Sequence, residues 1–327
     1  MRMSPKIHNP FLADFALTVF FLPHLPYFAV IIIYYMTIKV PTPPLFSFQE
    51  CLWFLDRNYD DCLHKVTPNS VLKAVELDGQ MVMLEVNAQK SHLQIEILEG
   101  TQIDESQVVA YIKNWFDLDR DLTPFYALLA KNAELSFMKD KYSGLMLMGI
   151  EGLFETLGWT IIGQQINLKF AYTLKRSLVE KWGKKFTYQG EHFYVFPDPA
   201  TIAALKVDDL RAMKFTTRKA EYLIGIAQLF AQGQLSKAGL LALEDEEKIL
   251  AELLKIRGIG KWTAHYAMMK CLRTANNIPY GDTGLYTALH QHKNLGKRST
   301  VEEIDAVYAP FEGWKSYLTI YLWRTLS

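Results

Sequence analysis

Residues 249–290, ILAELLKIRGIGKWTAHYAMMKCLRTANNIPYGDTGLYTALH, hold the side chains best placed to do chemistry. An amphipathic helix with Leu250, Leu253 and Leu254 on one face ends near Arg257. Gly258-Ile259-Gly260 follows, and a second helix starts at about Lys261 and runs to Cys271. Two glycines flanking one isoleucine permit a tight turn with positive φ, while the isoleucine anchors the turn in a core. Such a turn leaves backbone N–H groups at a helix N-terminus facing outward, where they bind phosphate. Lys261 adds a positive charge beside them. The Gly-Ile-Gly triplet alone does not decide the matter, because glycines end many helices. Asp282, in Gly281-Asp282-Thr283-Gly284, is a good helix N-cap. A carboxylate held rigidly at a helix start can also stabilise positive charge that develops in a reaction. Trp262 and Tyr266 lie i and i+4 on one helix face. Tyr286 comes one turn after Asp282, and Trp323 lies near the C-terminus. These aromatic rings are either core or the electron-rich walls of a pocket.

Several other chemistries are excluded. The three cysteines, Cys51, Cys62 and Cys271, are too few and too far apart for a disulfide framework, a four-cysteine zinc site or an iron–sulfur cluster. Their scarcity points to a reducing, cytoplasmic compartment. His290 and His292 are two apart and share no helix face, and His265 stands alone, so no metal site is expected. No phosphate-binding P-loop, nucleophile elbow or dinucleotide fingerprint is present. The chain has 35 basic and 35 acidic residues and no formal net charge. The balance hides an asymmetry: residues 151–300 carry 21 basic and 14 acidic side chains, a net +7, and the remainder carries −7. A positive C-terminal half suits an anionic partner. Lys169, Lys175, Arg176, Lys181, Lys184 and Lys185 are expected on a solvated basic face.

The elements that position these residues fall into two parts. Phe46–Leu55 reads as a short helix. Val71–Leu77 and Met81–Val86 read as strands joined at Asp78-Gly79, a hairpin dipeptide. Val82, Leu84 and Val86 alternate with less apolar neighbours, as do Leu93, Ile95 and Ile97, which predicts an antiparallel sheet with one buried face. From about Ser106 the apolar period becomes helical. The fold expected is α+β: residues 41–118 as an antiparallel sheet domain with helices, then residues 119–327 as an all-helical core with its hairpin at 249–272. Residues 1–40 are an apolar extension. Phe15–Ile38 contains no Asp, Glu, Lys or Arg and is long enough to cross a bilayer. Pro23, His24 and Pro26 interrupt it. Met36 is expected as the true initiator, with a membrane anchor or an ordered extra segment as the alternatives.

The hairpin, the loop Ile278-Pro-Tyr-Gly-Asp282 after it, the stretch LFETLGWTIIGQQINLKFAYTLK (153–175) and the C-terminal WKSYLTIYLWRTL together resemble the helix-hairpin-helix DNA glycosylase superfamily. The branch it looks like is 3-methyladenine DNA glycosylase II. The resemblance covers about residues 40 to 327. It implies excision of alkylated purines from double-stranded DNA by base flipping, with Asp282 as the catalytic carboxylate. Trp262 stands where lyase-competent branches carry a Schiff-base lysine, so the resemblance implies hydrolysis without strand cleavage. It places Trp262, Trp323, Tyr266 and Tyr286 around the flipped base, whose cationic ring electron-rich faces attract. It places Gly258, Gly260 and Lys261 on phosphate, and Gln165 where the family inserts a wedge into the vacated stack. This branch can use an apolar wedge here, and a polar Gln165 departs from that. No organic cofactor is implied; hairpin carbonyls in the family can hold a monovalent structural cation. No protein partner is implied, and a monomer is expected. The rival readings are a non-catalytic hairpin DNA-binding protein and a glycosylase for oxidised or mismatched bases.

Overall fold

A computed structural model describes residues 14–21, 30–56, 59, 61–100, 103–296 and 299–327. Among these, six strands form one antiparallel sheet: β1 (Asp14–Phe21), β2 (Val30–Pro41), β3 (Lys65–Val66), β4 (Ser70–Leu77), β5 (Gln80–Ala88) and β6 (His92–Glu99), in the order β1-β2-β6-β5-β4-β3. The β4–β5 turn is the one the sequence predicts. Asp78 and Gly79 both take positive φ, 46° and 78°, the two-residue geometry whose twist matches the flanking strands. Val82, Leu84 and Val86 point to one face, where Phe48 and Cys51 of helix Phe48–Leu55 and Val108 and Ile112 of helix Glu105–Phe116 cover them.

The opposite face is not solvated throughout. Met83 and Ala74 are buried there beneath Phe193. Phe193 belongs to a second hairpin, β7 (Lys184–Tyr188) and β8 (Glu191–Val195), which interrupts the half of the chain expected to be all-helical. Its turn, Gln189-Gly190, also has positive φ at both residues, 48° and 82°. Hydrophobic period two was legible in KKFTY and EHFYV, but Gln-Gly is a weaker turn signal than Asp-Gly. The hairpin is pinned to the sheet by Lys184–Glu76 at 2.6 Å and Lys65–Glu191 at 2.6 Å. Two members of the expected basic face are therefore engaged elsewhere: Lys184 pairs with Glu76, and Lys175 is only 6% exposed, with its ammonium 2.8 Å from Asp61.

The sheet also reaches back across the expected boundary at residue 41. Thr37–Val40 of β2 pair with Leu93–Glu96 of β6, and Ile38 and Val40 are fully in the core. The described residues of the apolar stretch Phe15–Ile38 fall in β1 and β2, so the stretch is not one spanning helix. The run Val30-Ile-Ile-Ile-Tyr-Tyr35 is β-branched and aromatic, which favours a strand. No helix among the described residues is long and apolar enough to cross a membrane. Pro23, His24 and Pro26 lie outside the described residues. The remaining helices, from Thr123 onward, pack so that one continuous cluster of buried side chains runs through both parts of the chain.

Candidate active site

The helical hairpin forms as its sequence demands. Its first helix, Glu246–Leu254, is capped by Asp245, whose carboxylate accepts from the Glu247 and Lys248 N–H groups. Ile249 and Leu253 are its buried face. Gly258 has φ +97°, and a Cβ there would come within 2.5 Å of the Tyr222 ring; both backbone and space therefore require glycine. Ile259 is buried and Gly260 is extended, with nothing within 4 Å of an added Cβ. Gly260 starts helix Lys261–Ala267, which continues as a π-turn over Met268–Leu272. No side chain caps its first N–H groups, and Lys261 beside them is exposed. This is the geometry of an anion-binding turn.

Gln165 sits at the tip of a neighbouring turn. Helix Leu153–Gly163 ends at Gln164, Gln165 is exposed with φ +56°, and Asn167 caps helix Leu168–Trp182 by accepting from Phe170 N–H. Gln164, a residue the sequence reading assigns no role, donates from Nε2 to the Gly258 carbonyl at 3.0 Å. The Gln-Gln turn and the hairpin are thus tied directly. The Ile256 carbonyl accepts from Ile259 N–H at 3.0 Å. A cation held by hairpin carbonyls would share the oxygens of Ile256 and Gly258 with these donors, which leaves each one lone pair for it.

Asp282 lies where three elements meet. It caps helix Thr283–Lys293, with Oδ1 accepting from Leu285 N–H at 2.7 Å. Trp323, on helix Lys315–Arg324, donates its indole N–H to Oδ1 at 2.9 Å. Trp262, on the second hairpin helix, donates to Oδ2 at 3.1 Å. The half-buried carboxylate therefore has three N–H donors and one fixed orientation. The loop before it turns at Gly281, φ +88°, and Gly281 N–H donates to the Tyr286 hydroxyl at 3.1 Å. Tyr286 braces this loop. At Gly284, a Cβ would stand 3.2 Å from Asp282 Oδ1 and 3.4 Å from the Trp323 ring, so the glycine keeps the carboxylate's surroundings clear.

The rings form a connected group. Trp262 and Tyr266 stack at 5.5 Å, and Tyr266 and Trp323 are 6.3 Å apart and tilted by 36°. On another side, Tyr266 lines a cavity of about 510 Å³ between the sheet and the helices. His265 takes no part: its Nδ1 meets Asn277 Oδ1 at 3.2 Å, and burial lowers its pKa. All three cysteines are buried, and burial pushes the thiols up, Cys51 and Cys62 to about 12 and Cys271 to about 11. No cluster of three or more potential metal ligands occurs among the described residues.

With this fold and site, the chain belongs to the HhH-GPD superfamily of base excision DNA repair proteins, whose pattern it matches over residues 159–310. Residues 61–157 match the N-terminal domain of 8-oxoguanine DNA glycosylase. Among individual relatives, it is 38% identical to a DNA-3-methyladenine glycosylase of Bacillus subtilis (strain 168), over 88% of this chain and 97% of that one. It is 25% identical to DNA-3-methyladenine glycosylase 2 of Escherichia coli (strain K12), over 71% of this chain and 77% of that one. Of solved structures, the 3-methyladenine DNA glycosylase from Archaeoglobus fulgidus aligns with a TM-score of 0.76 at 22% identity, covering 88% of this chain and 97% of that one. The Clostridium acetobutylicum 8-oxoguanine glycosylase/lyase, solved with double-stranded DNA, aligns with a TM-score of 0.63 at 20% identity, covering 81% and 97%. The two structural likenesses concern the fold.

Proposed function

We propose that the protein is a monofunctional DNA glycosylase that excises alkylated purines of the 3-methyladenine type from duplex DNA. The observation that carries this reading is the Asp282 carboxylate, held by three N–H donors at the edge of the Trp262–Tyr266–Trp323 group and beside an anion-binding hairpin.

The hairpin amides and Lys261 hold a phosphate of the damaged strand. Gln165 enters the stack as the nucleotide turns out, which offsets part of a flipping cost of a few kcal/mol. The base comes to rest against the Trp262, Tyr266 and Trp323 rings beside Asp282. An N-alkylated purine is cationic, so ring faces attract it. The C1′–N bond breaks and its electron pair stays with the base, which leaves neutral and so needs no general acid. Positive charge builds on the sugar, where the Asp282 carboxylate stabilises it and orients water. Water adds to C1′, its proton passes to solvent, and an abasic site remains. A monovalent cation at the hairpin would be structural and takes no part in these steps.

The test is chromatography of bases released from methylated duplex DNA, with borohydride trapping in parallel. Release of 3-methyladenine or 7-methylguanine without a covalent adduct is the expected result. A trapped adduct would show that an amine, Lys261 first among them, reaches the sugar. Release of 8-oxoguanine and not of methylated bases would move the protein to the branch whose N-terminal domain it matches.

A further inference from the structure

The last turn of helix Leu153–Gly163, which leads into Gln164 and Gln165, is held from outside by a buried lysine. Lys219 is 8% exposed, and its Nζ donates to the Ile162 carbonyl at 2.8 Å. That carbonyl is among those a helix leaves without an intrahelical partner at its C-terminal end. A cation there also suits the negative end of the helix dipole.

For its own helix the same lysine is unfavourably placed. Lys219 lies in the first turn of helix Thr217–Ala231, where the N-cap Thr216 accepts from its N–H at 3.3 Å. A positive charge opposes the dipole at that end. No carboxylate among the described residues pairs with the ammonium, and burial lowers its pKa. A buried charge without a counter-charge is costly, and an apolar side chain of similar length relieves that cost. The stability of helix Thr217–Ala231 gives no reason for the charge; the Ile162 carbonyl does.

Two neighbours of Lys219 hold the hairpin. Glu221 pairs with Arg257 at 2.9 Å, and the Arg257 guanidinium lies 5.4 Å from the centre of the Tyr222 ring. That ring is the wall against which Gly258 packs. One turn of helix therefore braces the Gln-Gln turn and the hairpin together, and the Gln164–Gly258 bond joins the two directly.

We propose that Lys219 is a positioning residue for base extrusion: its ammonium fixes the end of helix Leu153–Gly163 so that Gln165 enters the stack at full reach. This rests on the base-excision reading above and on the wedge role given there to Gln165. Lys219 touches neither the base nor the sugar and acts only through the turn it holds.

The experiment compares single-turnover release of 7-methylguanine, with the full chain in saturating excess, from two duplexes. In one the lesion faces cytosine; in the other it faces an abasic analogue, where extrusion costs least. Lys219→Met is expected to lower the ratio of the first rate to the second by at least about tenfold. Its melting temperature is expected to stay within about 5 °C of wild type, because the lost hydrogen bond is offset by the relieved burial of charge. Gln165→Ala is expected to lower the same ratio, and Lys219→Met added to it to lower the ratio by less than about threefold more, as coupled residues do. Should Lys219→Met fail to fold, Lys219→Gln, which keeps a donor without the charge, is read by the same ratio. A folded variant that slows both duplexes alike, or neither, overturns the inference. So does full additivity with Gln165→Ala. An unchanged ratio for Gln165→Ala takes down the wedge role and the inference with it. Release from neither duplex by the wild type takes down the base-excision reading itself.

Discussion

At the scale of single residues, the proposed chemistry turns on how Asp282 is held. Its carboxylate does not depend on one partner: a backbone N–H from its own helix and two indoles from helices elsewhere in the fold fix both oxygens. Asp282→Asn keeps the shape and the N-cap but removes the charge. It is expected to slow base release by on the order of a hundred- to a thousandfold while binding of abasic-site DNA persists. Turnover within about tenfold of wild type in a release assay would remove Asp282 from the reaction. Part of this was legible in the chain. Asp-Thr-Gly announces a helix cap, and the cap is there. The indole donors were not, because Trp262 and Trp323 lie 20 and 41 residues from Asp282, and nothing local records which way a ring nitrogen points. Tyr286 shows the same limit: nothing local records that its hydroxyl accepts from Gly281 N–H.

At the scale of elements, the hairpin separates two glycines that look alike in sequence. Gly258→Ala forces a left-handed φ on alanine and drives Cβ into Tyr222. It is expected to lower stability by at least 1 to 2 kcal/mol, roughly, in thermal unfolding. Gly260→Ala meets no protein atom within 4 Å, so the fold is expected to survive while affinity for DNA of any sequence drops. A Gly260→Ala protein that binds like wild type would make the turn purely structural. The junction of the two parts rests on Lys175 and Asp61. Burial alone would push Asp61 up, but the Lys175 ammonium beside it draws the carboxyl well below the usual range. The folded value is depressed, so the stabilisation is complete above the unfolded pKa of about 4 and is lost progressively as pH falls below it. Lys175→Met strands a buried carboxylate and is expected to cost about 3–5 kcal/mol near neutral pH. Pairing it with Asp61→Leu restores most of the loss, as denaturant melts would show. Lysine content alone suggested a wetted face here, because helix periodicity places Lys175 no better than its neighbours until the sheet is docked against it. At the N-terminus, the β2–β6 pairs Met36 to Pro41 all lie after residue 35. A chain beginning at Met36 is therefore expected to fold and excise bases at the full rate; loss of activity or solubility would give β1 and the first half of β2 an essential role.

For the whole molecule, zero net charge conceals a polarised chain, with +7 on residues 151–300. Affinity for duplex DNA is expected to fall with salt at a log–log slope of about −0.9 for each phosphate contact, a few contacts in all. A flat salt dependence would separate the hairpin from phosphate binding. Composition and spacing disclosed the two-part architecture, but they did not disclose the β7–β8 hairpin that clamps one part to the other, since its pairing matters only once the sheet is present to receive Phe193. One further feature sets how the assembled protein would search. The Gln164 amide rests on the Gly258 carbonyl, so the turn proposed to grip a strand and the turn proposed to probe it are tied to each other. In that reading, a push delivered at Gln165 would recoil against phosphates at the hairpin instead of dissipating in a slack loop. Travelling along a chromosome, a protein so built would work as a caliper: it would report how loosely each nucleotide is stacked, and a sound, well-stacked one would pass beneath it without being drawn out.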